Sequence, residues 1–189
     1  GADVIKYCGT GGVFSKGDEP GAQQYTAAEV AALVEEAHMA HRRVAVHAHG
    51  AEGIKVAIRA GVDTIEHASL IDQEGLDLAK KNGTWLSMDI YNSEYTQTEG
   101  PKRGELEEFL RKDREIAQIQ RDNFRKAVQM GIKLTMGTDS GVHRHGDNPK
   151  QLAWMVKYGM TPMQAIQAAT KVGAEALGIE KTVGQIAPG

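Results

Sequence analysis

Lys6, His47, His49, His67 and Asp139 are the side chains whose types and spacing could do chemistry. Each lies in or at the end of a short apolar run. VIKYCG carries Lys6, RVAVHAH ends in His47 and His49, VDTIEHAS carries His67, and IKLTMGTD ends in Asp139. Imidazole and carboxylate are ordinary ligands of Zn²⁺. A lysine among Val, Ile, Tyr and Cys is costly as an ammonium unless it is paired or chemically changed. Carbamylated, Lys6 would carry a carboxylate able to bridge two metals, and an apolar setting would favour the free amine that reacts with CO₂. Each residue also has a plain structural reading: a strand-end histidine can be packing, Lys6 can snorkel to the strand end, and GTDS can cap a helix. The joint pattern points to a metal site, because chance rarely puts such groups on one rim of one sheet.

That rim exists only if the strands are parallel neighbours. RVAVHAH, AEGIKVAIRAG and VDTIEHAS read as strand, helix and strand. Such a unit opens both strand ends on the same side of a sheet, so His47 and His67 are expected to face each other across a gap. The same alternation runs through the chain. A first strand spans Asp3–Gly9, followed by a Gly-rich loop, Thr10–Gln24, of a length that is often functional. Thr26 and Glu29 form a capping box for a helix running to about His41. Asp72 caps a helix that Gly83 closes, and Trp85–Ile90 is the next strand. Tyr91–Arg103 reads as a polar loop, and Gly104–Met130 as a long helix with an apolar stripe that includes Leu106, Leu110, Ile116, Ile119, Phe124 and Val128. Ile132–Asp139 is the fifth strand. A helix from Pro149 to about Tyr158 follows, then one capped by Thr161 with Pro162 at its first position. Five strands, each followed by a helix, make an α/β chain with a parallel sheet: five-eighths of a (β/α)8 TIM barrel, or else an open doubly wound sheet. No GxGxxG follows the first strand and no P-loop is present, which leaves the nucleotide-binding open sheet little support.

Composition adds bounds. The 189 residues are 41% hydrophobic and 25% charged, enough for one sizeable core or part of a larger domain. A net charge of −3 gives no reason to expect nucleic-acid or anionic-membrane binding. The single cysteine, Cys8, rules out an intrachain disulfide and favours a reducing, cytoplasmic setting. No apolar run approaches transmembrane length. The abrupt start inside a strand and the KTVGQIAPG ending read as those of a fragment.

The stretches VIKYCGTGGV, VAVHAHG, DTIEHAS and MGTDSG resemble the later strands of the amidohydrolase superfamily, metal-dependent hydrolases on a (β/α)8 barrel. The likeness covers essentially the whole chain, including the HGDN loop, the TPMQAIQAAT helix and the GQIAPG ending. It is nearest to bacterial dipeptidases and carboxypeptidases of the Xaa-Pro and Xaa-Arg/Lys types, and MDIYNSEYTQTEG is most similar to the branch that cleaves before a C-terminal Lys or Arg. The resemblance implies two zinc ions bridged by a carboxylated Lys6, with His47 and His67 on the second metal. Asp139 would be both ligand to the first metal and general acid and base for a metal-bridging hydroxide. His49, on the same strand face as His47, would contact substrate or oxyanion, or else serve as a supporting hydrogen bond. Tyr91, His145 and Asp89 are the candidate substrate contacts, with Glu94, Asp147, Tyr25, Tyr95 and His143 as further rim residues.

One departure matters. The family's first strand carries an HxH pair, and no such pair stands in that place here: HAH at 47–49 follows the lysine strand, and HRH at 143–145 lies after Asp139. Residues 1–189 are therefore expected to be strands 4–8 of the barrel, without the first three strands and the small β domain. The expected partners are a small peptide, the missing N-terminal barrel portion and a second copy of the chain, because an open five-stranded sheet exposes two edges. Hydrolysis of an Xaa-Pro bond, a cyclic amide or a lactone is the alternative chemistry. An inactive fragment is the alternative outside catalysis.

Overall fold

The computed structural model describes residues 1–188; Gly189, the last residue of the GQIAPG ending, lies outside them. The strands are β1 (Val4–Cys8), β2 (Arg43–Ala48), β3 (Thr64–His67), β4 (Trp85–Ser87) and β5 (Leu134–Thr135). They form one all-parallel sheet in the order β1-β2-β3-β4-β5. Between and after them run α1 (Ala27–Met39), α2 (Ala51–Ala60), α3 (Gln73–Asn82), α4 (Asn92–Arg103), α5 (Glu107–Met130), α6 (Lys150–Lys157), α7 (Pro162–Ala169) and α8 (Lys171–Leu177). The strand order never reverses. A doubly wound sheet requires such a reversal, so the winding is that of a barrel segment.

The pleat divides the sheet chemically. Val44, Val46, Ala48, Ile65 and Leu86 point outward and are fully buried against Val34, Ile54, Ile58, Leu76 and Phe124 of the helices. On the inner face, Lys6, Ala45, Thr64 and Trp85 share one register row, and Cys8, His47, Glu66, Ser87 and Thr135 the next. None of the first four is buried, so this chain leaves its barrel interior open.

Local signals account for most boundaries. Thr26 and Glu29 form the reciprocal capping box of α1, Asp72 accepts from Gly75 N at the start of α3, and Gly83 closes α3 in the left-handed conformation. Thr161 with Gln164 caps α7, and Pro162 stands in its first turn. Among the described residues, no helix is long and apolar enough to cross a membrane.

Four expectations are corrected. Tyr91–Arg103 is not a loop: residues 92–103 form α4, whose inward face is Asn92, Ser93, Tyr95 and Thr96, so hydrophobic periodicity gave no signal. The fourth and fifth strands stop at Ser87 and Thr135, well before Ile90 and Asp139, because the chain bends into the rim. The helix after Thr161 breaks at Thr170 (φ −125°, ψ −90°) into α7 and α8. Leu106 and Ile119 are exposed, and the buried line of α5 is instead Leu110, Asp113, Ala117, Gln120, Phe124 and Ala127.

Candidate active site

A cavity of about 300 Å³ opens at the carboxyl ends of the strands, lined at one end by Lys6, His47, His49, His67, Asp89 and Asp139. Different backbone devices bring these residues together. His47 points inward by simple alternation on β2, and His49 follows on the same side after the strand has ended. His67 pairs in register with the outward-facing Ala48, so alternation alone would send it into the helix layer. It turns inward because His67 and Ala68 adopt left-handed conformations, φ 67° and 49°. Asp139 does the same at φ 46°. Positive φ is costly for such residues and is commonly kept at functional sites.

The three rings form one cluster: His47 and His67 have centroids 4.6 Å apart, and His49 stacks on His67 at 4.6 Å. His49 and His67 are fixed from behind. His49 N donates to Thr10 Oγ1 at 2.8 Å, and its Nδ1 lies 2.8 Å from Ser69 Oγ. His67 Nδ1 lies 2.9 Å from Asp89 Oδ1. Gln120 Nε2 donates to both His67 O and Asp89 Oδ1 at 3.1 Å, and Asn92 Nδ2 donates to Asp89 Oδ2 at 2.7 Å. The backbone at Gly12 passes close to the cluster, and a Cβ there would stand 3.3 Å from His47 Nε2.

Electrostatics separates the rings. Burial, reinforced by the nearby His67 charge, pushes His47 down to about 4. The same two causes, with His47, hold His49 well below the ordinary imidazole range. Burial also opposes a charge on His67, but the Asp89 carboxylate and its hydrogen bond outweigh burial and move His67 upward. Asp89 moves down despite burial, chiefly through the charge of His67 and their hydrogen bond. His47 and His49 are thus neutral near pH 7, the state in which imidazole binds a cation.

The donor atoms are close enough to share an ion. One atom each from His47, His49 and His67 lies within 4.8 Å of the others, and so does one each from His67, Asp89 and Asp139. With Asp89 engaged by His67, the free His67 nitrogen is Nε2, which is how a carboxylate orients a metal-binding imidazole. The set has the donor types that hold a divalent metal ion.

Of the other expected residues, Lys6 and Asp89 also line the cavity, whereas Tyr91 and His145 do not. Lys6 lines the cavity but is exposed, so its apolar strand neighbours do not supply the burial expected of them. Asp89 is not a rim acid: it is 7% exposed and both its oxygens already accept hydrogen bonds. Tyr91 is buried beside His143 and Lys150, and His145 lies in an outer loop with Ser140; neither lines the cavity. His143 is held by Thr138 O and Arg144 O, Asp147 pairs with Lys150, and Tyr25 packs on Tyr7. Sequence reasoning missed Thr10, Ser69, Asn92, Asp113 and Gln120. The last two carried a signal: Asp113 and Gln120 occupy the 3- and 4-spaced apolar line of α5 from Leu110 to Phe124, where a polar residue must have a partner.

A sequentially wound parallel sheet with imidazoles and carboxylates gathered at its carboxyl end defines a segment of a (β/α)8 enzyme barrel. The chain belongs to the Amidohydrolase family, whose sequence model matches residues 1–189. It is 34% identical over 172 residues to the ochratoxinase of Aspergillus niger, covering 90% of this chain and 35% of that protein. The crystal structure of that A. niger enzyme superposes with a TM-score of 0.89 at 31% identity, over 100% of this chain and 43% of that one. A Xaa-Pro dipeptidase with bound methionine in its active site superposes with a TM-score of 0.93 at 43% identity, over 100% of this chain and 47% of that one. The chain thus spans about a third of the curated relative and under half of each of these solved structures.

Proposed function

We propose that this chain carries most of the site of a metal-dependent amide or peptide hydrolase that removes a C-terminal residue. The observation that carries the reading is the convergence of three histidines and two aspartates on one cavity at the strand ends. His47 and His67 would hold one metal and Asp139 another, with His49 close by. Zinc is the proposed ion, because it accepts both imidazole and carboxylate. Lys6, carboxylated at the open side of the cavity, is the proposed bridging ligand. A bound divalent ion supplies Lewis acidity, which polarises a carbonyl and lowers the pKa of water. The chain's own groups do the rest. Asp139, exposed at the cavity edge, takes the proton of the attacking water and passes it to the leaving amine. Asp89 holds His67 in one tautomer, and Ser69 holds His49.

The open inner face and the partial span of the relatives support a further proposal, that barrel strands outside these residues complete the site. For the substrate, C-terminal Lys or Arg is the first reading, favoured by the Asp113 carboxylate in the cavity lining. Xaa-Pro is the second, favoured by the 43% identity to the Xaa-Pro dipeptidase. The test is a panel of dipeptides ending in Pro, Met, Phe, Lys or Arg, incubated with the full-length enzyme and zinc. Hydrolysis that is lost in His67→Ala supports the reading, and cleavage of no member contradicts it.

A further inference from the structure

The cavity has a second end, built by α4 and α5 away from the histidines. Asn92, Ser93 and Thr96 project from α4 and Asp113 from α5, and all four line the cavity. Ser93 Oγ donates to Asp113 Oδ1 at 2.7 Å and Gln97 Nε2 donates to Oδ2 at 2.6 Å, so a buried carboxylate is held by neutral donors. Two further oxygens of residues lining the same cavity have no partner among the described residues. Asn92 spends its amide nitrogen on Asp89, and neither its Oδ1 nor Thr96 Oγ1 has a hydrogen-bond partner among the described residues. Asn92 is 7% exposed, Thr96 2% and Asp113 4%.

A helix face packed for stability alone would not leave this pattern. A buried acceptor without a donor is destabilising, and a buried carboxylate whose direct hydrogen-bond donors are all neutral is poorly compensated. Burial holds the Asp113 carboxyl above the usual carboxylate range, against the opposing pull of its two hydrogen bonds and the Arg121 charge. Carboxylate and amide oxygens can only accept, and the carboxylate repels an anion. A neutral ligand would satisfy the oxygens without balancing the charge.

We propose that Asn92 Oδ1, Thr96 Oγ1 and the Asp113 carboxylate form a subsite for a cationic multi-donor group, an ammonium or a guanidinium, on the molecule that fills the cavity. The inference deepens the hydrolase reading, since that molecule would be the substrate or the amino acid it releases. The cation could be a basic side chain or an α-ammonium, and both offer the same chemistry.

Binding of molecules that cannot be hydrolysed tests the subsite apart from catalysis. Calorimetry on the full-length protein would compare L-arginine with L-citrulline for the side-chain source, and L-norleucine with hexanoate for the α-ammonium. In one pair the cationic member is expected to bind at least about tenfold more tightly. Asp113→Asn should erase that preference and leave the neutral member unchanged. Thr96→Val, nearly isosteric, should weaken the cationic member several-fold and provides the test if Asp113→Asn fails to fold. Equal binding within both pairs, or a preference that survives the substitutions, would overturn the subsite. A lack of hydrolysis does not enter this measurement, so the two readings fail separately.

Discussion

His67 Nδ1 and Asp89 Oδ1 are 2.9 Å apart and both residues are buried, and the other described bonds to the Asp89 carboxylate come from neutral amides. The pair therefore fixes which nitrogen of His67 faces the cavity. Asp89→Asn preserves the shape but removes the charge that selects the tautomer. Its expected effect is about a 10- to 100-fold loss of metal affinity with little change in fold. Competition against a chromogenic chelator, with circular dichroism as the control, measures it; unchanged affinity would remove Asp89 from this role.

The depressed His47 makes a prediction about acid. Its folded value is about 4 against an ordinary 6.5, so between these limits the unfolded chain binds more protons than the folded one. Stability of the metal-free protein should fall as pH drops from about 6.5 to about 4, by at most about 3 kcal/mol from this residue. His67, shifted the other way, contributes stability that is complete below 6.5 and is lost as pH rises through its higher folded value, so it does not oppose the trend in that window. Urea midpoints across the range should slope downward toward acid, and His47→Asn should flatten part of the slope.

Lys112 is a buried strap. Its Nζ donates to Ser15 O at 2.6 Å and pairs with Glu108 Oε1 at 2.8 Å, while Gly17 N donates to the same Glu108 oxygen at 2.8 Å. These bonds tie the loop after β1, which supplies Gly12, Val13 and Phe14 to the cavity wall, onto α5. Lys112→Met keeps the packing but leaves Ser15 O and the Glu108 carboxylate without their partner. We expect faster amide exchange and protease cutting within residues 12–19, with destabilisation of about 1–3 kcal/mol. Unchanged exchange in that loop would show that the edge-on contact of Phe14 with Phe109 is enough to hold it.

The sequence was most informative where local chemistry decides structure. The Thr26–Glu29 box, the Asp72 cap, the Gly83 stop and the alternation of RVAVHAH each act within a few residues, and together they imply parallel strands with His47 and His49 at one rim. The inward turn of His67 was not legible, because it depends on two left-handed residues that no glycine announces. The helical state of residues 92–103 was hidden because that helix buries polar side chains, and its Asn92, Ser93 and Thr96 find their role only against α5. Partners such as Gln120 for Asp89 and Ser69 for His49 are tertiary pairings that spacing alone does not reveal.

Metal content tests the central claim most directly. The full-length protein, purified without chelators and analysed by inductively coupled plasma mass spectrometry, should carry a divalent metal in stoichiometric amount. Both His47→Ala and His67→Ala should lose metal while remaining folded. A wild-type protein without bound metal, or variants that retain all of it, would contradict the account.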